Sequence, residues 1–534
     1  MAPKRCCITG ALHYVHTRLC RALRWVYVGE LCLLCQLRQA SIVTSPLLVP
    51  LPTMGIPKIW MELKQVEENI SIISHTLSAG FLANPSGTRT MLIGIDASAW
   101  MHCAAANEKS GHGNARQELW ARVERFLTAA VTLVFVFDGP GRPGLKNGRR
   151  ICKNGHRLTG DFKKIIEAFG CAWFTAAGEA EATLANMSSV GIPVPIDIVQ
   201  SDDSDCFAFG ASAVLRIRSE DKKNFQASRY SAADISQTLG LSRVDFVLIA
   251  LLVGGDYYDG LGNCGIATAL GLVRAGFGAT LSKAIEGKSN NAARHALLAW
   301  REELKQELQT NASGMLPTRK PALAQSLPSS FPKLDIIRLY LHPIVSEDIP
   351  GLVIQRRMPN LNALAILAER LFNWGHIAGI VKRISSRILP SLVVTTLITS
   401  TLANDHGQAS PRPPILKRIE RERIHPSTGN IREFRISVAL DPAILNDALI
   451  GLTSEHEPIG SWSETEVTKM RVWIPASMVE AVDRSWVLDF RCGPAVGTKT
   501  SQKIQGGSTR YTAISTTFRG HEQILIMSDS DGEL

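Results

Sequence analysis

The chain has 534 residues, 45% apolar and 20% charged, a balance that excludes a wholly disordered or collagen-like chain and leaves room for several domains. Lys and Arg number 58 against 48 Asp and Glu, a net charge of +10, which favours a polyanionic partner, nucleic acid before membrane. The eleven cysteines form no disulfide framework, because five crowd into the first 35 residues and Cys103, Cys152, Cys171, Cys206, Cys264 and Cys492 are scattered; a reducing compartment fits better.

In chain order, residues 1–53 come first. They carry Lys4, Arg5, Arg18, Arg21, Arg24 and Arg38 against one acid, Glu30, and read as a basic, disordered extension outside the fold. Cys32-x-x-Cys35 lies here without the two further ligands that zinc requires. From Met54 the pattern becomes that of an α/β domain. Met91–Ile95, Val131–Phe137 and Ile196–Gln200 are short β-runs, each followed by acids: Asp96, Asp138, and the Ser201–Asp205 cluster. Helical patterns over Asp161–Phe169 and Glu179–Met187 separate them. Strands alternating with helices predict a parallel sheet, with a site outside the carboxyl ends of its strands. Asp245–Gly254 is an apolar helix leading into Gly255-Asp256-Tyr257, the turn Gly260-x-Gly262-x-x-Gly265 and a second helix, Ile266–Val273. The longest apolar run, Phe246–Gly254, is about half a membrane span. Residues 285–330 suggest a helix and a flexible loop, and helical patterns resume over 332–390. A linker is expected within 401–414, a small β-rich module over 415–490, and a disordered tail over 491–534.

Taken singly, the acids have ordinary readings. Asp96 is a helix cap, Asp138-Gly139 a turn, Glu179 and Glu181 a solvated first helical turn, and Asp203 and Asp205 loop acids. Taken together, Asp96, Asp138, Glu179, Glu181, Asp203, Asp205 and Asp256 converge on one crevice, where so many close carboxylates need cations. Hard oxygen donors suit Mg2+ or Mn2+, and two such ions stabilise an in-line phosphate displacement. Basic residues follow Asp138, including Arg142, Lys146, Arg149, Arg150, Lys153 and Arg157. Beside such a site they read as phosphate contacts, Lys146, Arg149 and Arg150 foremost. Gly260, Gly262 and Gly265 offer backbone N–H groups to a phosphate.

The ordered motifs Met54-Gly55-Ile56-Pro57, Ile93–Ser98, Val136–Gly139, Gly178–Ala182, Ser201–Asp205 and Gly255–Tyr257 resemble the XPG/flap-endonuclease superfamily over about 54–390. The resemblance implies a PIN-like parallel-sheet nuclease core over 54–260, then a helix–two-turn–helix element and helical region over 261–400. It implies that the seven carboxylates hold two Mg2+ ions, or Mn2+, beside a scissile phosphate, and that the glycine turn grips duplex backbone and a monovalent cation. Two departures stand out: Ile266-Ala267 replace a common Lys, and 53 residues precede the Met-Gly start.

Asp138 and Glu179 are only 41 positions apart, short for the threading arch of flap endonucleases. The run Phe137–Pro143, with Phe162–Gly170, Gly262–Gly271 and Phe331–Pro343, is similar to the GEN/Yen Holliday-junction resolvases, the fungal ones especially. That branch implies a chromodomain-like module at 415–490, with Phe434, Trp462 and Trp473 as its aromatics or as core. The expected function is a structure-selective, metal-dependent DNA endonuclease. It acts on branched duplex DNA, as a dimer on four-way junctions, in the nucleus, or in the mitochondrion if the extension is a transit peptide; no membrane partner is expected. The alternatives are a 5′-flap endonuclease and a catalytically dead binding scaffold.

Overall fold

Val131–Phe137 is apolar at nearly every position, the pattern of a strand covered on both faces, and the whole strand is buried. The computed structural model describes residues 55–146, 149–150, 155–217, 224–372, 377–408, 411–453 and 470–492, with strand backbone at 503–504, 511–518 and 521–528. Its first body contains strands β1 (Glu68–Ser71), β2 (Met91–Asp96), β3 (Val131–Phe137), β4 (Leu145–Lys146), β5 (Arg149–Arg150), β6 (Ala172–Thr175), β7 (Ile198–Gln200), β8 (Ala213–Arg216) and β9 (Gln226–Ser231). Seven of them form one sheet in the order β1-β9-β8-β7-β2-β3-β6. The run from β6 to β8 is parallel, and β9 and β1 close one edge antiparallel. The parallel sheet expected from the sequence is the one observed, and β4 and β5 make a separate small hairpin.

Successive side chains of a strand point to opposite faces. Leu133, Phe135 and Phe137 therefore enter the core beneath helices α1 (Ala97–Lys109), α2 (Ala115–Phe126) and α3 (Thr159–Ala168). Val134 and Val136 enter the other core, beneath α4 (Ala180–Ser189) and α5 (Arg243–Val253). Beyond α5 come α6 (Ile266–Arg274), α7 (Asn290–Thr310), α8 (Leu334–Leu341), α9 (Leu361–Leu371) and α10 (Leu389–Asp405). The stretch after α7, read as a flexible loop, is fastened down. Leu316, Leu323, Leu327 and Phe331 are buried, and Arg301 donates to the carbonyls of Pro328 and Leu327 at 3.2 and 3.0 Å.

The expected linker at 401–414 begins inside α10, which runs on to Asp405. The run Gly379–Asp405 is also long and apolar enough to cross a membrane by length and composition, yet 61% of its most apolar window is buried inside the structure. The sequence concealed this length because Ser385, Ser386, Ser391, Thr395, Thr396 and Ser400 interrupt the apolar pattern. The hydroxyls of Ser391, Thr395 and Thr396 return to carbonyls three or four residues back, so they cost the helix little.

The β-rich region comprises β10 (Leu416–Ile424), β11 (Arg432–Val438) and β12 (Met470–Pro475), in that order and antiparallel. It is followed by helices Ala476–Val482 and Arg484–Cys492. Two register shifts interrupt β10, at Leu416/Arg418 and Ile419/Arg421. Phe434 is fully buried against Phe490 and is core. Trp473 lies partly exposed beneath the Arg423 guanidinium at 4.0 Å, and Trp462 lies outside the described residues. Within 491–534, expected to lack regular structure, β13 (Lys503–Ile504), β14 (Tyr511–Phe518) and β15 (His521–Ser528) pair antiparallel. The β-branched and apolar content of Ile524–Met527 favours that state.

One cation ties the body to α10. Arg356 Nη1 donates to the carbonyls of Ala129 and Val131 at 3.2 and 2.5 Å, Nη2 to Leu127 at 2.5 Å, and Nε to Thr395 Oγ1 at 2.9 Å. Burial lowers its pKa to about 10, still charged at neutral pH. Arg356→Leu strands several carbonyls at the entry to β3, and it is expected to lower the unfolding free energy by about 3 kcal/mol. Chemical denaturation followed by tryptophan fluorescence checks this; an unchanged midpoint would contradict the role.

Candidate metal centre

Strand ends fix the acids. Asp96 is the last residue of β2 and caps α1, accepting the Ala99 N–H at 2.9 Å. Asp138 follows β3; its Oδ1 accepts the Ala180 N–H at 3.0 Å, its Oδ2 faces Arg142 at 3.3 Å, and its own N–H donates to Ser98 Oγ at 3.3 Å. Glu179 is the N-cap of α4 and Glu181 lies in its first turn, where the helix dipole favours negative charge. Asp203 follows β7, and Asp205 opens the short helix Asp205–Phe209. Asp256 stands three residues beyond α5.

Glu179, Glu181, Asp203, Asp205 and Asp256 are all buried, at 0–7% exposure. Ligand oxygens of Glu181, Asp203 and Asp256 lie within 4.8 Å of one another. The Asp256 N–H donates to Asp205 Oδ2 at 3.0 Å, and the Asp205 N–H donates to Asp203 Oδ1 at 2.9 Å. Asp96 and Asp138 form the more open rim. Thus the structure draws all seven predicted acids to the carboxyl end of the sheet, five of them into one buried group.

The electrostatics are those of crowded acids. Burial, then the charge of Asp138, pushes Asp96 up to about 7. Burial, then Asp256, pushes Asp205 up to about 7, against the lowering effect of the Asp256 N–H and the Tyr340 hydroxyl. Glu181 is raised well above its ordinary value by burial and then Asp203, and Asp203 by burial and then Asp256. Lys146 is the counter-charge: its Nζ pairs with Asp256 and lies 3.3 Å from Glu179 Oε1. Burial opposes its ammonium, but Asp256, Glu179, Glu181 and Asp203 outweigh that and hold its pKa well above the usual lysine value.

Lys146, predicted as a phosphate contact, therefore sits on the carboxylates themselves. Arg149 and Arg150 lie on β5, with the Arg149 backbone opposite Lys146 in the hairpin. Gly260 adopts φ +82°, and a Cβ there would come within 2.5 Å of the Val253 carbonyl carbon. Gly262 and Gly265 border open space, and Gly265 caps α6.

Sequence reasoning missed several supporting residues. The Tyr257 hydroxyl donates to Glu179 Oε2, and the Tyr340 hydroxyl donates to Asp205 Oδ2 at 2.9 Å. Cys206 Sγ donates to Glu181 Oε1 at 3.1 Å. Ser204 Oγ accepts the Ile56 N–H at 2.8 Å, which brings the start of the domain to the centre. There Gly55 has φ +75°, and a Cβ would stand 2.2 Å from Asp203 Oδ1. Tyr257 was visible as the neighbour of Asp256, and Gly55, Ile56 and Ser204 stood within the motifs quoted above; nothing local marked Tyr340 or Cys206 as a partner of the acids.

The donor set fits divalent cations. It is all oxygen, buried and mutually repelling, and Asp205 Oδ1 is buried without a hydrogen-bond partner among the described residues. Glu181, Asp203 and Asp256, with Asp205 beside them, could hold one ion; Asp96, Asp138 and Glu179 could hold a second.

The comparisons agree with this geometry. Residues 170–256 match the family model of the XPG I-region. The chain is 30% identical over 245 residues to the human "Flap endonuclease GEN homolog 1", covering 41% of this chain and 25% of that protein. The chain therefore spans only about a quarter of that curated relative. A crystal structure of the Holliday junction-resolving enzyme GEN1 with product DNA and Mg2+ is 28% identical. It covers 82% of this chain and 99% of that one, with a TM-score of 0.62. A GEN-1 structure with potassium has the same coverage at 27% identity and a TM-score of 0.62.

The sheet and the carboxylate group have the PIN-like nuclease fold of the GEN1 structures, and through residues 170–256 the chain is similar to the XPG/flap-endonuclease superfamily. Within that superfamily its likeness is to the GEN branch.

Two outcomes follow from the electrostatics. Asp96 and Asp205 bind protons in the folded state up to about pH 7, whereas unfolded Asp releases them near pH 4. The metal-free protein should therefore lose stability as pH rises through that window. Divalent cations need the deprotonated carboxylates, so the rise in Tm on adding Mg2+ should be larger at about pH 8 than at about pH 6. Equal shifts at both would contradict the assignment. Separately, Gly55→Ala should shrink that rise in Tm, since its methyl must displace Asp203; a rise equal to that of the parent chain would count against the close approach.

Proposed function

We propose that this chain is a structure-selective, Mg2+-dependent DNA endonuclease that cuts phosphodiesters at branched duplex DNA, four-way junctions among them. The observation that carries this reading is the buried group of Glu181, Asp203 and Asp256, with ligand oxygens within 4.8 Å of one another at the carboxyl ends of the parallel strands. The ions named with the GEN1 relatives, Mg2+ and potassium, support the same chemistry here. Bound Mg2+ supplies charge to activate water and to stabilise the attacking and leaving oxygens.

The chain's own residues do the rest. The five buried acids, Glu179, Glu181, Asp203, Asp205 and Asp256, with Asp96 and Asp138 at the rim, form the cation cradle. Lys146 offsets part of their mutual repulsion until a phosphate arrives, and with Arg149 and Arg150 it neutralises that phosphate. The turn holding Gly260, Gly262 and Gly265 at the start of α6 presents backbone N–H groups to the duplex. A monovalent cation at that turn would add a further link to the duplex. Ala267 is exposed there and brings no charge, so grip at this point depends on backbone and cation. Such contacts read shape, not base sequence.

The short segment between Asp138 and Glu179 holds only the β4–β5 hairpin, α3 and the sheet strand β6 among its described elements. It supports cutting without a free 5′ end, and two copies acting symmetrically on one junction, in the nucleus. The three-stranded sheet β10–β12 with its trailing helices supports a chromodomain-like role for 415–490. A 5′-flap endonuclease is the second reading, since the human relative carries that name. A dead scaffold is disfavoured by the complete acid set.

Asp203→Asn is expected to lower cleavage at least about a hundredfold while junction binding persists. Gel mapping of cuts, paired with a mobility-shift assay, checks both; near-normal cutting would refute the metal centre. A junction whose arms end in hairpins should receive paired, symmetric nicks. Cutting confined to open 5′ flaps would favour the second reading. Lys146→Ala with Arg149→Ala should weaken cleavage of all branched substrates alike and reduce the salt slope of binding by about one per lost contact.

A further inference from the structure

The segment that begins in α8 underlies the carboxylate group from behind. Tyr340 is 1% exposed, and its hydroxyl donates to Asp205 Oδ2 at 2.9 Å. Arg243, at the start of α5, fastens the segment, donating from Nη2 to the carbonyls of Tyr340 and Leu341 at 2.7 and 3.1 Å, and from Nε to Ala208 at 3.1 Å. Farther along, Ile344 lies against Gly178, where a Cβ would meet its carbonyl oxygen at 2.3 Å. Ser346 Oγ accepts the Ala177 N–H at 2.9 Å. Residues 340–346 thus touch both Asp205 and the turn that precedes Glu179. Tyr257, whose hydroxyl donates to Glu179, packs its ring 4.8 Å from that of Tyr340, and Phe209 lies 5.5 Å from the latter.

A site that needed only apolar bulk at position 340 would be filled by Phe, because burying a phenol costs free energy unless its hydroxyl is bonded. The hydroxyl carries one proton, and it goes to the same Asp205 oxygen that accepts the Asp256 N–H. Two donors on Oδ2 fix the rotation of the carboxylate. They leave Oδ1, buried and without a hydrogen-bond partner among the described residues, as the oxygen available to a cation. Donors behind a ligating carboxylate orient it and tune its affinity.

We propose that Tyr340 is a positioning residue of the metal centre. It holds Asp205 so that Oδ1 serves a divalent cation, and its ring contact with Tyr257 links that hold to Glu179. The inference rests on the metal-dependent nuclease reading and is tested apart from it, with Mn2+ itself as the probe.

Binding of Mn2+ to the full chain, followed by electron paramagnetic resonance of the free ion, is compared for the parent chain and Tyr340→Phe. The hydroxyl's removal is expected to weaken Mn2+ binding about tenfold. Cleavage of a branched substrate should fall at limiting Mg2+ and recover at saturating Mg2+, with DNA binding in the absence of metal unchanged. Unaltered Mn2+ affinity in Tyr340→Phe overturns the proposal. A loss through misfolding is separated by Asp205→Asn: if Tyr340 acts through Asp205, the double variant binds Mn2+ no worse than Asp205→Asn alone. Additive losses overturn the proposal as well. If the parent chain binds Mn2+ but cuts no branched DNA, the nuclease reading fails while the Mn2+ comparison still decides on Tyr340.

Discussion

Five carboxylates buried in one crevice repel one another, and most of the surrounding structure offsets that repulsion. A single ammonium, Lys146, sits between Glu179 and Asp256. Backbone N–H groups serve Asp96, Asp138, Asp203 and Asp205, and two phenols and a thiol serve Glu179, Asp205 and Glu181. Hydrogen bonds to the charged form pull a carboxyl's pKa down while burial and like charge push it up. Here the upward pressure wins at Glu181, Asp203 and Asp205. A protein that tolerates this imbalance holds a reservoir of attraction for divalent cations, and the sheet is the rigid frame that keeps the acids from swinging apart.

The elements that carry acids were legible in the sequence because two local signals coincide there. Val131–Phe137 is apolar at all but Thr132 and is followed by Asp138, and Met91–Asp96 ends in its own acid; periodicity gives the strand and the acid marks its carboxyl end. Parallel pairing then gathers those ends without any further information. The supporting residues were not legible for the opposite reason. Tyr340 stands 135 positions from the aspartate it serves, and nothing in Leu334–Leu341 distinguishes a phenol that reaches a carboxylate from one that fills a core. Lys146 was found, but its carboxylate neighbours Glu179 and Asp256 were not foreseen, because a basic residue after an acidic turn looks the same whether it meets phosphate or carboxylate.

Boundaries failed where side chains blur polarity. The hydroxyl-rich helix Leu389–Asp405 looks like a weakly apolar stretch fading into a linker, yet its hydroxyls bond their own helix and its apolar face joins the core. Arg356 makes the same point from the charged side. It falls in a region expected to be helical, 332–390, but lies in an irregular stretch, where it gathers carbonyls from the entry to β3 and a hydroxyl from α10. Neither is recoverable from composition, since both depend on what is brought alongside.

The register shifts in β10 have a consequence for self-association. β10 is an outer strand of its sheet, and such a strand offers unpaired backbone groups to any copy of the chain that meets it. The two shifts break its regular ladder, and Lys417, Arg418 and Arg421 stand exposed along it. Bulges and like charges of this kind discourage edge-to-edge growth. The protein is thereby guarded against aggregation at this edge, which is built to stay apart from a second copy of the chain.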